Sequence, residues 1–331
     1  MPYHVFVTRQ LPDAGLKLLR AQKNIRLNIY EKDKPIPRRE LLKRVKGQDI
    51  ILSILTEKMD EEVFAAAGLQ LKMIANYAVG FDNIDLKAAA ARSIVVTNTP
   101  HPNVSESVAE HAIALIFALA HRLVESDRFT RAGKYHAWGP ELLLGTDVIG
   151  KTVGIIGTGA IGQAVVRRLY DGFGVKILYH DLARNRELEK RTRARFVSLP
   201  TLLKNSDFIS LHVPLLPSTR HLISTKELKL MKRTAFLINT ARGPVVDELA
   251  LTKALVRGQI AGAALDVYEC EPFIDCNPRD HYTLKDLPNV VLTPHTASAT
   301  LETRQAMGLV AAKNILAFIA GKQPPNRLKT C

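Results

Sequence analysis

The chain has 331 residues, 47% of them hydrophobic and 24% charged, and carries a formal net charge of +14. That length exceeds what one core usually supports, so two globular domains are expected, and the composition excludes a disordered or fibrous protein. The longest apolar block, Ala112–Ala120, is too short to span a bilayer, and three cysteines (Cys270, Cys276 and Cys331) exclude a disulfide framework.

The cysteines read as ordinary thiols of a reducing cytosol, and none has a Cys or His partner at zinc spacing, so no metal is expected. Met1–Arg9 carries His4 and Arg9 and lacks the apolar segment of a signal peptide, which adds to the expectation of a cytoplasmic protein. From there the first hundred residues alternate. Strands are predicted at Val5–Thr8, Arg26–Ile29, Ile50–Ile54, Leu71–Ala75 and Ile94–Thr97, with helices at Asp13–Ala21, Arg38–Val45, Asp60–Ala66 and Asp85–Arg92. Such alternation predicts a parallel sheet covered by helices on both faces. The basic runs Lys32–Lys46 and Arg184–Arg195 hold no interleaved aromatics and accompany no recognition motif. They read as solvated helix faces, and neither a nucleic-acid nor a membrane partner is expected.

Thr97-Asn98-Thr99-Pro100-His101-Pro102 interrupts the alternation and reads as a hinge. Asn103, with Glu106 three residues on, predicts a capped helix running to about Arg131. Its middle, AIALIFALA, is apolar on every side, which suits either a core or a subunit interface. The irregular stretch after it holds the only tryptophan, Trp138, followed by Gly139-Pro140.

A second α/β unit opens at Lys151. The run Val153–Ile156 enters Gly157-Thr158-Gly159-Ala160-Ile161-Gly162, a helical period follows, and a second strand, Val175–Tyr179, ends at Asp181. Each part suits a dinucleotide. Gly157 permits the turn, Gly159 admits a pyrophosphate, and Gly162 allows close helix packing. Asp181, 19 residues beyond Gly162, stands where a carboxylate accepts both ribose hydroxyls. Further strands at Phe208–Val213, Ala235–Asn239, Gly262–Asp266 and Val290–Leu292 bring this sheet to six. Helices are predicted near Thr225–Met231, Asp247–Arg257 and Leu301–Ala320, with an extended tail.

Ligands of open α/β sheets bind beyond the carboxyl ends of the strands. Arg242, Glu271 and His295 follow three successive strands at that edge. An Arg can hold a carboxylate bidentately, and a His backed by an acid can deliver a proton to a developing alkoxide. The trio therefore suits reduction of a 2-oxo acid.

Seven segments together resemble the D-isomer-specific 2-hydroxyacid dehydrogenases: NYAVGFDNID (76–85), SVAEHAIALIFAL (107–119), GKTVGIIGTGAIGQAVVRRL (150–169), HVPLLPST (212–219), NTARGPVVDE (239–248), AALDVYECEP (263–272) and NVVLTPHTAS (289–298). The resemblance implies two doubly wound parallel-sheet domains, one flavodoxin-like and discontinuous, the other a Rossmann NAD-binding domain, with an active-site cleft between them. It implies a substrate domain of residues 1–100 plus 296–331 and a dinucleotide-binding domain of residues 101–295. By resemblance Arg242 binds substrate, Glu271 supports the imidazole and His295 is the acid/base. Leu55, Val79 and Gly80 would contact the substrate, with Tyr77 shaping its pocket, and Trp138 would either lie near the neighbouring subunit's pocket or anchor its own loop. The cofactor would meet the 157–162 turn, Asp181, Val213, Pro214, Thr219, Thr240, Ala241, Arg242, Asp266 and His295.

Within the family the chain looks most like glyoxylate/hydroxypyruvate reductases, which implies a homodimer built by the 104–130 helix. Asp181 would repel a 2′-phosphate and favours NAD(H), while Arg184 and Arg186 leave NADP(H) possible. Val79 stands where a phosphite-oxidising relative has Lys, which counts against that substrate. Another D-2-hydroxyacid dehydrogenase, such as a lactate enzyme, phosphite-type anion oxidation, and a corepressor-like NAD(H)-binding protein are the alternatives. The segment around Asp275, Arg279 and Asp280 looks longer than in many relatives and receives no role.

Overall fold

The computed structural model describes residues 2–274 and 283–329. Asp275, Arg279, Asp280, Cys276 and Cys331 thus lie outside the described residues. The chain divides into two compact units, Met1–Val104 with Ala299–Cys331, and Ser105–Ser298.

In the first unit β1 (Tyr3–Val7), α1 (Asp13–Arg20), β2 (Ile25–Ile29), α2 (Arg38–Arg44), β3 (Ile50–Ser53), α3 (Glu61–Ala67), β4 (Met73–Asn76), α4 (Leu86–Ala91) and β5 (Val95–Thr97) alternate strictly. The strands pair in parallel in the order β2-β1-β3-β4-β5, the flavodoxin-like order. Every residue of β3 and β4 is buried, as strands covered on both faces must be. Short polar residues start the helices: Asp60 accepts from the Val63 N–H at 3.3 Å and Asp85 from Ala88 at 2.9 Å. Phe6, Ile51, Phe64 and Ile74, all fully buried, form the centre of one face, each contributing roughly 1.5–3 kcal/mol by burial.

The chain then enters α5 (Pro102–Ala120) and α6 (Leu123–Arg131). The single long helix expected here does not form. Arg122 adopts a left-handed backbone (φ 51°), and the two axes differ by 60°. The break is fixed by the Arg122 guanidinium, which donates to Glu125 at 2.8 and 2.7 Å and to the Leu144 carbonyl at 3.2 Å. The expected cap also differs. Pro102 is the first helical residue, where its missing N–H costs nothing. His101 Nδ1 accepts from the Asn103 N–H at 3.2 Å, and Glu106 instead binds Arg167 and Arg168. One side of α5 packs into the core through Ala112, Leu115, Ile116 and Leu119, whereas Ala114 is exposed. No single helix among the described residues is long and apolar enough to cross a membrane.

The second unit continues through β6 (Thr152–Ile156), α7 (Ala160–Phe173), β7 (Lys176–His180), α8 (Arg186–Thr192), β8 (Arg195–Phe196), α9 (Leu199–Asn205), β9 (Phe208–Leu211), α10 (Thr225–Leu230), β10 (Phe236–Asn239), α11 (Glu248–Val256), β11 (Gly262–Leu265) and β12 (Val290–Leu292). Its parallel sheet runs β12-β11-β10-β9-β6-β7-β8. That is the dinucleotide-binding order with one strand more than the six expected. The addition is β8, two exposed residues pairing with Leu178 and Tyr179, too short to stand out in sequence. Order reverses between β6 and β9, so the crevice for a ligand opens beyond Ile156 and Leu211.

Finally α12 (Leu301–Ile319) rejoins the first unit. Arg304 O accepts the Tyr77 hydroxyl at 2.6 Å, and Asn314 donates to Asn98 O at 3.1 Å. The tail pairs Arg327 with Thr97 in an antiparallel bridge. One cysteine differs from expectation: Cys270 is disulfide-bonded, not a free thiol.

Candidate active site

The glycine turn leaves β6 as its spacing requires. Gly157 has φ +91°, closed to most side chains, and a Cβ there would lie 2.7 Å from the His212 carbonyl oxygen. A Cβ on Gly162 would lie 2.1 Å from Gly157 O, so α7 could not approach the strand. Gly159 has no such internal reason: a Cβ there meets nothing within 4 Å. It is the N-cap of α7 and brings no capping side chain, which leaves the first N–H groups of the helix for a ligand.

Asp181 follows β7 directly. Its Oδ2 accepts from the Thr158 N–H at 2.6 Å and the Thr158 hydroxyl at 2.7 Å, while Oδ1 accepts from Leu182 N at 2.7 Å. Burial alone would push this carboxyl up; the Thr158 and Leu182 bonds outweigh it and hold the group below the usual carboxylate range. After β9, Val213 and Pro214 begin a turn that Thr219 closes, its hydroxyl donating to Pro214 O at 2.7 Å.

Beyond β10, Asn239 clamps the next turn, accepting from Ala241 N at 3.0 Å and donating to Arg242 O at 2.9 Å. The Arg242 Nη1 donates to Ala241 O at 2.8 Å. Thr240 Oγ1 is buried and has no hydrogen-bond partner among the described residues. A Cβ on Gly243 would sit 1.9 Å from Tyr268 C and O, so the Arg242 turn lies directly on the backbone leading to Glu271.

Glu271 Oε1 accepts from Tyr268 N at 3.0 Å, and Oε2 lies 2.9 Å from His295 Nδ1. His295 itself adopts φ +55°, an uncommon conformation for a side chain of this size. Asp266, fully buried at the end of β11, enforces it. The Asp266 carbonyl accepts from His295 N at 2.8 Å. Its Oδ1 accepts from Thr293 Oγ1 at 2.5 Å and Thr296 N at 2.8 Å, and Oδ2 from Ala297 N at 2.9 Å. Because Thr293 Oγ1 gives its proton to Asp266, it accepts from His111 Nε2 at 3.0 Å on α5. Burial would raise the Asp266 carboxyl, but these donors, His111 included, hold it below the ordinary range.

In the first unit, Val79 and Gly80 follow β4. Asn98 donates to Val79 O at 2.8 Å and Asn76 to Gly80 O at 3.0 Å. The amides of Val79 and Gly80 have no hydrogen-bond partner among the described residues. Leu55 is half-buried after β3. Tyr77 is buried with its hydroxyl spent on α12, and burial pushes that hydroxyl up to about 12. Trp138 is 80% exposed and does not anchor its loop within the chain.

Sequence reasoning passed over Asn76, Asn98, Asn239, His111, Thr293 and Tyr268. The three asparagines share a readable signal: each is a buried amide at or just past the last residue of an apolar strand. The others carry no local signal.

A doubly wound parallel sheet with this strand order, glycine turn and post-strand acid is the architecture of a dinucleotide-binding domain. Residues 113–297 match the family model described as D-isomer specific 2-hydroxyacid dehydrogenase, NAD binding domain. The chain is 49% identical over 327 residues to a glyoxylate reductase of Korarchaeum cryptofilum, covering 98% of this chain and 96% of that one. It is 47% identical to a glyoxylate reductase of Thermococcus kodakarensis, covering 97% and 94%. Among solved structures, the TT0316 protein of Thermus thermophilus superposes with a TM-score of 0.90 at 42% identity, covering 98% and 100%. The chain belongs to the D-isomer specific 2-hydroxyacid dehydrogenase family, and is an NAD(P)-dependent dehydrogenase of 2-oxo and 2-hydroxy acids.

Proposed function

We propose that the chain reduces glyoxylate or hydroxypyruvate to glycolate or D-glycerate, with NADH preferred over NADPH. The 2.9 Å contact between Glu271 and His295 carries this reading. An ionised carboxylate can only accept, so Nδ1 holds a proton and Nε2 is the nitrogen left to serve a substrate. His295 then delivers a proton to the developing alkoxide, and the Arg242 guanidinium holds carboxylate and carbonyl. The amides of Val79 and Gly80, without a hydrogen-bond partner among the described residues, suit a carboxylate.

The residues fit a dinucleotide. Gly159 leaves room that no internal packing demands, α7 offers N–H groups without a capping side chain, and Thr240 Oγ1, just past β10, is buried without a hydrogen-bond partner among the described residues. The 157–162 turn, with Thr158, Ala160 and Ile161, would hold the phosphates and Asp181 the adenosine ribose. Val213, Pro214, Thr219, Thr240, Ala241 and Asp266 would line the remainder. When bound, the nicotinamide supplies the hydride. The substrate itself is supported by the relatives named glyoxylate reductase.

The test is NADH loss at 340 nm with glyoxylate, hydroxypyruvate, pyruvate and phenylpyruvate, each repeated with NADPH. Turnover concentrated on the first two supports the reading; preference for pyruvate or phenylpyruvate overturns the substrate. His295→Ala is expected to lower kcat by roughly 10²–10⁴-fold, and near-normal turnover would remove the proton-transfer role.

A homodimer belongs to the same reading. Leu123, Tyr135, Trp138, Leu144 and Ile149, between residues 123 and 149, are all more than half exposed, apolar area that a second copy would cover. Light scattering at twice the monomer mass supports it; a monomer at micromolar concentration overturns it.

A further inference from the structure

We propose that Glu189 is a cofactor-specificity residue: by clasping Arg184 it withholds the cation that would otherwise receive a 2′-phosphate at the adenosine end of the dinucleotide. The inference rests on the reading of Asp181 as the ribose ligand.

Arg184 lies three residues beyond Asp181 on the loop joining β7 to α8. An Arg there is the residue that a 2′-phosphate-binding site employs. Here its Nε donates to Glu189 Oε1 at 2.8 Å and Oε2 at 2.9 Å. Glu189 is not free to follow Arg184 outward. Its Oε1 also accepts the Tyr179 hydroxyl at 2.8 Å, and Tyr179 is fully buried on β7. The Tyr179 oxygen in turn accepts from Asn185 N at 2.8 Å, and Asn185 caps α8 through Leu188 N at 3.0 Å. The carboxylate therefore hangs from the sheet and from the helix start together. Arg184 is 61% exposed at its side chain, Glu189 only 15%. The cation is within reach of solvent; the acid that engages it is fixed below.

Charge makes the consequence definite. Arg184 and Glu189 cancel, Arg186 is offset in formal charge by Glu187, and Asp181 leaves the 181–189 segment with net negative charge, to which a phosphate monoester adds roughly −1.5 to −2. Asp181 cannot turn aside, because Thr158 holds its Oδ2 from both amide and hydroxyl. Exclusion of a 2′-phosphate thus has two parts, an acid held in place and a cation kept occupied. Replacing Asp181 alone leaves the second part standing.

The experiment compares Asp181→Ser, Glu189→Gln, the double variant, and the double variant with Arg184→Ala. Calorimetry measures binding of adenosine 2′,5′-bisphosphate and adenosine 5′-monophosphate, and fluorescence titration measures NADH and NADPH. Gln retains an acceptor for Tyr179, so unchanged 5′-monophosphate affinity between Asp181→Ser and the double variant marks an intact site. The double variant is expected to bind the 2′,5′-bisphosphate roughly tenfold tighter than Asp181→Ser, the scale of one freed charge-assisted contact. Arg184→Ala should abolish that gain. Equal affinity in single and double variants overturns the proposal, as does a gain that survives Arg184→Ala. Failure of the underlying reading looks different: wild type would bind NADPH as tightly as NADH, or Asp181→Ser would leave NADH affinity untouched.

Discussion

Glu271 reaches His295 with only one of its carboxylate oxygens. Oε2 lies 2.9 Å from Nδ1, while Oε1 is taken by the Tyr268 N–H at 3.0 Å. The acid is thus oriented by its own loop before it orients the imidazole.

Replacement by Gln splits those two duties. In Glu271→Gln the amide oxygen can keep the Tyr268 bond, which turns the NH₂ group toward His295 Nδ1. The ring must then accept at Nδ1, and a neutral ring carries its proton on Nε2 without the carboxylate that stabilises the charged form. A loss of roughly 10- to 100-fold in kcat with KM little changed is expected, the scale of a hydrogen bond to a charged group. A rise in KM at constant kcat would show that Glu271 acts on substrate binding instead.

Arg242→Lys tests planar, two-pronged recognition against simple charge. Lys preserves the cation but loses the fork. We expect kcat/KM for glyoxylate to fall roughly 10- to 100-fold, with a smaller change in NADH affinity by fluorescence titration. Near-wild-type kcat/KM would mean that a point charge suffices.

The glycines separate folding from binding. A Cβ at Gly159 meets nothing within 4 Å, and that residue has an ordinary φ of −66°. Gly159→Ala should therefore leave thermal stability unchanged while weakening NADH binding. At Gly162 the added carbon would meet Gly157 O at 2.1 Å. Gly162→Ala is expected to lose roughly 1–3 kcal/mol or more of stability. Urea unfolding of the two variants checks both statements, and a destabilised Gly159→Ala would contradict the assignment.

Asp266 links the site to acid stability. Its folded carboxyl lies below the ordinary value, so the stability it contributes is present at neutral pH. That contribution is lost as pH falls below about 4 and through the folded value. Asp266→Asn would face the Ala297 or Thr296 N–H with a second donor, costing roughly 1–3 kcal/mol at pH 7. Urea midpoints measured from pH 7 downward should show a lower plateau and a shallower acid decline than wild type. An identical acid decline would assign the pH dependence to other carboxylates.

Much of the fold was legible because strand and helix periods are local. Both sheets, their parallel class and nearly all their strands follow from apolar runs punctuated by turns. The long helix after Pro102 was misread for a related reason. Its apolar period runs past Ala120, but the left-handed turn at Arg122 is imposed by Glu125 and by Leu144 O, and the carbonyl lies far along the chain. The strand β8 escaped notice because two exposed residues make no pattern.

The sequence by itself determined the glycine turn, the acid at position 181, and Arg242, Glu271 and His295 as polar groups after successive strands. Turn chemistry and strand ends are written in neighbouring residues. Only the tertiary structure decided which of these groups meet. Glu271 finds His295 across 24 residues, and Asp266 gathers Thr293, Thr296 and Ala297 beneath it, because β11 and β12 pair in register and deliver their following loops side by side. The same holds for Thr158 on Asp181 and Glu189 on Arg184, where parallel strands or a helix turn set the distance. Side-chain pairing of this kind depends on register across the sheet, which no local period encodes.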